Sequence, residues 1–528
     1  MSMPLHNSIC TRLTCSVLVF MAACAWARID RITATPQQIQ ISLKQSDAPL
    51  TIVELQPNEP VESALGRTPV LTHNLKPMGR KTIDRFDGDR DRIYSAFVAL
   101  ADGKVVGNKR FVEEWNHIAR HRFNYPKVDS KKGLQVQMLD DAIALGVRHA
   151  ALNVNLATMI SLNPATNDVL WKMDGQTYPF QRTWVESLDK KVKTLSDTGA
   201  TVTLILLSYK NSNPEVNRLM LHPKYDEACP NHLGAFNTVT SEGMAWFKAC
   251  LEFLAERYSH PDKSVGRAVN FIVGNEVNSH WYWANMGRVS MEDFTEDYLR
   301  TVRICHTAVR KFSSAGRVFI SLEHHWNSRF PVEEGQSFAG RSFVDHFARR
   351  ARDEGDFGWH VAFHPYPEDL FQCRTWNDQS TTDSFDTPRI TFMSLEVLLR
   401  YLRKKELLYQ GKPRRIILSE QGFHSDGTPE GELAQAAAYC YAYYKTARLD
   451  GIDSFILHRH VDHGGEFGLN LGLWRRDKSS PSPSVPLDKK PIYDVFLQAD
   501  SPQWEKAFEF ALPVIGITSW KDIDPRRR

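Results

Sequence analysis

Cysteine is sparse and unpatterned in this chain: eight residues among 528, with no Cys-x-x-Cys pair. That excludes a zinc ribbon and a disulfide framework, both of which need closely spaced cysteines. Cys10, Cys15 and Cys24 fall in the first 27 residues, and the other five (Cys229, Cys250, Cys305, Cys373, Cys440) are scattered. Cys250, Cys305 and Cys440 read as small buried hydrophobes, with one bridge open to the loop residue Cys229. Excess charge is lacking too. The 65 basic and 62 acidic residues leave +3, without a long block of either sign. A surface that tracks phosphates needs a marked basic excess, so nucleic acid is not expected as a partner. The closing Arg526-Arg527-Arg528 reads as a short solvated run. No glycine-rich phosphate loop follows a strand-like segment, which disfavours a doubly wound open sheet.

Long apolar runs are absent after the N-terminus. Val17–Ala23 is apolar, preceded by Arg12 and followed by Ala25-Trp26-Ala27. It is too short for a comfortable membrane span, and its flanks are those of a signal peptide over residues 1–27. The expectation is a secreted or periplasmic protein without a membrane span. Met21-Ala22-Ala23-Cys24 also resembles a bacterial lipoprotein box with Met in place of Leu, which makes lipid anchoring through Cys24 the alternative.

What is present is enough apolar side chain, 42% of residues, for a large core and more than one domain. Residues 28–125 carry short alternating runs broken by Pro, Gly, Asp and Asn, and read as a β-rich accessory region. Ile93–Leu100, Asp102-Gly103 and Lys104–Val106 read as a hairpin within it. From there to residue 528 the pattern alternates. Strand-like runs end near Asn155, Leu207, Glu276, Glu323, His364, Glu420 and His458. Helical spacing lies between them, over Leu134–Leu145, Thr183–Leu195, Gly243–Tyr258, Met291–Phe312, Phe343–Arg352, Phe392–Leu408 and Glu432–Thr446. Repeated strand–helix units predict an α/β fold, a (β/α)8 TIM barrel. An eighth strand is needed at its start, either at Ser95–Leu100 or between Phe123 and Leu134. The glutamate-tipped strands then fall fourth and seventh.

Those two strands, Phe271–Glu276 and Ile416–Glu420, are apolar and end abruptly in a carboxylate. Barrel active sites are built at such C-terminal tips, and a pair of carboxylates across a cleft is what glycosidic cleavage needs. A single glutamate there reads equally as a cap or an ion-pair partner.

The pairing of Asn275-Glu276 with the distant Glu420 resembles the clan A retaining glycoside hydrolases, and Gly274–Trp281 suggests an uncharacterised bacterial family of that neighbourhood. The resemblance spans about Leu134 to Ala499 and rests on few positions. It implies Glu276 as general acid/base, Glu420 as nucleophile and Asn275 as the partner of the sugar 2-hydroxyl. His364-Pro365-Tyr366 resembles the clan's His-x-Tyr, which implies that Tyr366 steadies the nucleophile and His364 the substrate or the acid/base. Lys490-Pro491-Ile492-Tyr493 resembles the segment that closes many such barrels. Two features depart from the pattern. Arg148 sits too early in its strand for the clan's arginine. His458-Arg459-His460 stands where a tryptophan ends the eighth strand, leaving Arg459 as an electrostatic substitute.

The expected function is an exported glycoside hydrolase that cleaves a β-linked oligo- or polysaccharide by a two-glutamate retaining mechanism. Its partner is a carbohydrate substrate, and neither cofactor nor metal is expected. Asn275, Asn278, His325, Trp326 (as a stacking platform), His364, Tyr366, His458 and His460 are the expected substrate contacts. Trp281, Tyr282 and Trp283 are candidates for the apolar setting of the acid. One alternative is a metal-dependent hydrolase, with His458, His460, Asp462 and His463 converging on Glu323-His324-His325. The other is a non-catalytic glycan-binding barrel.

Overall fold

The computed structural model describes residues 28–44, 49–73 and 79–525. The expected signal peptide, Cys10, Cys15, Cys24 and the terminal arginines lie outside the described residues.

Eight parallel strands close into a barrel. They are β1 Lys132–Gln135, β2 His149–Asn155, β3 Thr201–Leu207, β4 Asn270–Val273, β5 Arg317–Glu323, β6 Trp359–His364, β7 Ile416–Gln421 and β8 Ile452–Leu457. Closure is made by β1 pairing with β8, Leu134 opposite Leu457. The chief helices after each strand are α1 Leu139–Ala144, α2 Arg182–Asp197, α3 Ser241–Arg257, α4 Met291–Phe312, α5 Gly340–Asp353, α6 Leu395–Tyr401, α7 Pro429–Ala447 and α8 Pro491–Gln498. The fold is a (β/α)8 TIM barrel preceded by a β-rich region.

The strands are continuous apolar runs because both faces are covered; β3 is buried at all seven positions. Alternate side chains serve the two sides. Ala151, Ile205, Leu207, Ile272, Phe319, Ala362, Ile417 and Ile456 form a small cluster that fills the barrel. Leu204, Leu206, Phe271, Val273 and Ile320 belong to the main core beneath the helices. Helix starts follow the capping chemistry of the sequence: Thr240, Ser290 and Thr428 each accept a hydrogen bond from a backbone N–H of the first turn.

The first strand lies at Lys132–Gln135, within the second of its two expected places but for Gln135, while Ser95–Leu100 belongs to the N-terminal region. The helix expected over Leu134–Leu145 is therefore shorter: Leu134 closes the barrel and only Leu139–Ala144 is helical. Phe392–Leu408 likewise shortens to α6, because Phe392 is buried in the loop before it. The β2–α2 connection holds a hairpin, Val169–Met173 with Gln176–Phe180. It turns at Asp174-Gly175, both at positive φ.

The N-terminal region forms two four-stranded sheets, one of them carrying the hairpin Ala96–Ala101 with Lys104–Arg110. It packs against the outer helix layer. Tyr94 donates to Glu252 of α3 (2.7 Å), which also holds Lys311 of α4 (2.7 Å). Lys311 reaches Asp91 (3.3 Å), which pairs with buried Arg85. The five cysteines among the described residues are free and buried. No described helix is long and apolar enough to cross a membrane.

Candidate active site

The C-terminal tips of β4, β6 and β7 bring Glu276, His364 and Glu420 together. After Val273 the chain turns sharply, with Gly274 at φ 74° and Glu276 itself left-handed at φ 39°. A non-glycine residue there is uncommon and strained, a conformation that clusters at functional sites. The Glu276 N–H is fixed by the Ser321 hydroxyl on β5 (3.0 Å). One carboxylate oxygen of Glu276, one of Glu420 and a ring nitrogen of His364 all lie within 4.8 Å of one another. Retaining glycosidases hold their carboxyl groups about 5–5.5 Å apart, whereas inverting ones need about 6.5–9.5 Å to admit a water.

The two carboxyls are buried in different company. Burial raises the Glu276 pKa; the His364 hydrogen bond (2.8 Å) offsets this in part, and the charges of Glu420 and Glu323 add to it. Burial also pushes Glu420 up, but His458, His364 and the Gln135 amide outweigh it and hold Glu420 below the ordinary value. Tyr366 donates to Glu420 Oε1 (3.1 Å) and Gln135 Nε2 to Oε2 (3.0 Å). Burial, together with these carboxylates, lifts the Tyr366 hydroxyl far above its usual range, so it stays a donor. The two pKa values are thus driven apart, Glu276 upward and Glu420 downward, which is the direction that acid and nucleophile require.

Asn275 is half-buried, and its amide makes no hydrogen bond within the described protein. His325 is half-buried too, with Nδ1 2.6 Å from Glu323 and its ring stacked on Phe330. Phe330 also stacks parallel on Tyr282 at 5.7 Å and remains 53% exposed. Among the three aromatics after Glu276, Trp283 packs on the barrel-filling cluster and Trp281 donates to Asp226 (2.9 Å).

Three expected substrate contacts are placed elsewhere. Trp326 is wholly buried against Tyr401, so it is core and not a stacking platform. His460 is wholly buried, donating to Asp141 of α1 (2.8 Å) and accepting from the Gln137 and Met138 N–H groups. Asn278 is buried, and its amide bridges the Glu323 carboxylate and backbone. His458 stands behind Gln135 (2.7 Å), one residue removed from Glu420. Arg148 bonds the Thr198 carbonyl, and Arg459 pairs with Glu466. Sequence reasoning missed Gln135 because the first strand was unplaced; a polar residue ending that strand was its only signal.

Glu323, His324 and His325 could hold a metal by spacing. The Glu323 carboxylate, however, already accepts from Asn278, Ser279, the His325 N–H and the His325 ring. That set satisfies it without a cation; against the opposing effect of burial, the charge of His325, its hydrogen bonds and the charge of His324 hold the carboxyl at about 2. The strand-eight histidines do not join it. Among the described residues, Asp462 is engaged by Lys490 (2.8 Å), and His463 accepts from Gly465.

Over residues 124–523 the sequence matches the model of a family of unknown function, DUF5722. A comparison with curated proteins finds no match. Among solved structures, a family 39 glycoside hydrolase from the gut symbiont Bacteroides cellulosilyticus WH2 is similar at 12% identity and a TM-score of 0.42, over 90% of this chain and 82% of that one. A hyperthermophilic β-glucosidase from Pyrococcus furiosus is similar at 14% and 0.44, over 71% and 86%. The family 1 β-glucosidase from Thermotoga maritima is similar at 12% and 0.41, over 72% and 86%.

Proposed function

We propose that this chain, which belongs to DUF5722, a family of unknown function, is an exported retaining glycoside hydrolase acting on a β-linked oligo- or polysaccharide. The observation that carries the reading is the close approach of Glu276 to Glu420 with their pKa values driven in opposite directions.

In the first step the ionised Glu420 attacks the anomeric carbon while Glu276 gives its proton to the departing glycosidic oxygen. The product is a glycosyl ester on Glu420. In the second step Glu276, now a carboxylate, takes a proton from water as that water attacks the same carbon and releases Glu420. The unengaged Asn275 amide is free to donate to the sugar 2-hydroxyl, a contact that strengthens as charge develops on the ring. Tyr366 holds one oxygen of Glu420 and Gln135 the other, which fixes the orientation of the carboxylate.

The test is a panel of aryl β-glycosides and polysaccharides, with the anomeric configuration of the first product read by NMR. The β-anomer formed first supports the proposal; the α-anomer, or no hydrolysis across the panel, sinks it.

A further inference from the structure

Among the described residues no arginine bonds Glu420, and strands one and eight supply a different support. Gln135 ends β1 with Nε2 on Glu420 Oε2 (3.0 Å). A carboxylate only accepts, so this contact fixes the amide: Oε1 points the other way, to His458 Nδ1 at 2.7 Å. His458 must therefore donate from Nδ1. Its other nitrogen, Nε2, faces the Glu466 carboxylate at 3.5 Å, again a group that can only accept. Both imidazole nitrogens thus face acceptors, and the ring is held from both sides. Glu466 is itself held by Arg459, from the residue next to His458.

We propose that His458, held between Glu466 and Gln135, is a positioning residue that orients Glu420 through the Gln135 amide. This rests on the glycosidase reading of the same site. It assigns His458 a role behind the nucleophile and not on the sugar, and it makes Glu466 part of the same device. The other groups facing Glu420 are Glu276, His364, Tyr366 and Glu466, whose charge raises the Glu420 pKa, with Tyr209 close enough to feel the charge of Glu420. Those facing His458 are Gln135, Glu466, Glu420 and, more distantly, His463.

The experiment compares wild type, His458→Gln and Gln135→Leu on the best aryl β-glycoside of the panel. It records kcat and KM across pH, the mass of the enzyme trapped with a 2-deoxy-2-fluoro glycoside, and thermal unfolding. Expected is an acid limb of kcat/KM moved up by about one pH unit in both variants, with kcat at least tenfold lower and KM within about threefold. An acid limb that stays put in either folded variant overturns the proposal. Failure of wild type to turn over or be trapped at all is a failure of the glycosidase reading, and it is visible separately.

Discussion

His364 ties the tips of β4 and β7 together: Nδ1 lies 2.8 Å from Glu276 Oε1 and Nε2 3.0 Å from the hydroxyl of Ser419, the residue before Glu420. The imidazole is buried, and burial lowers its basicity. The Glu276 hydrogen bond and the charges of Glu420, Glu276 and Glu323 outweigh that and raise its pKa. The same contact lowers Glu276 and, through charge, Glu420.

Replacing His364 by Asn therefore removes a stabiliser of both carboxylates. Glu276 should hold its proton to higher pH, moving the basic limb of kcat/KM up, and Glu420 should ionise later, moving the acid limb up. The whole bell is expected to shift toward alkaline pH, with the maximum lowered about tenfold or more. A pH–rate profile that narrows or shifts toward acid would contradict this assignment.

Glu276 and Glu420 should fail differently. Glu420→Gln is expected to abolish turnover for every substrate while folding is retained. Glu276→Gln should slow aryl glycosides with poor leaving groups by about 10²–10⁴-fold, since these need the proton. Dinitrophenyl glycosides need none in the first step, so the trapped glycosyl-enzyme should accumulate with them. Burst kinetics and intact-protein mass check both.

Outside the cleft, the accessory region is secured by buried charge. Glu252, about 2% exposed, serves both Tyr94 and Lys311. Glu252→Ala leaves Lys311 with Asp91 alone and Tyr94 without an acceptor, and is expected to cost about 3–5 kcal/mol in denaturant unfolding. KM should not change, because the network lies on the outer helices α3 and α4.

Much of this was legible in the sequence, for identifiable reasons. Doubly covered strands leave long apolar runs, so β2 to β8 could be read from Ala151 to Leu457 along the chain, and Glu276 and Glu420 stood out as charges ending such runs. β1 escaped because Lys132-Gly133-Leu134-Gln135 is short and half polar, and with it went Gln135. Trp326 and His460 misled because side-chain type does not say which way a loop turns. Trp326 goes down beside Tyr401 and His460 to Asp141. Their burial depends on loops brought together from distant parts of the chain.

Glu323 sets an acid threshold for the strand-five tip. Its folded pKa of about 2 lies below the ordinary 4.5, so its hydrogen bonds contribute fully above about pH 4.5 and are lost as pH falls toward 2. The contribution is of the order of 3 kcal/mol. Glu323→Gln should lower stability at neutral pH and flatten its dependence between about pH 4.5 and 2. Unfolding free energies across that window, unchanged in slope, would contradict it.

The last expectation concerns the reach of the cleft beyond the scissile bond. Phe330 lies in the β5–α5 loop, stacked between His325 at 6.1 Å and Tyr282 at 5.7 Å, with half its surface exposed. Tyr282 follows Glu276 by six residues, and on the proposed role of Glu276 as acid the platform would serve the side from which the leaving sugar departs. Exposed aromatic faces stack on sugar rings, and one such contact is worth about 0.5–1.5 kcal/mol. Phe330→Ala should raise KM about three- to tenfold for oligosaccharides that extend past the cleaved bond. For aryl glycosides of a single sugar, kcat should be unchanged. A chain-length series of substrates separates these outcomes: an equal loss at every length would mean that Phe330 supports the Glu276 turn and does not touch sugar.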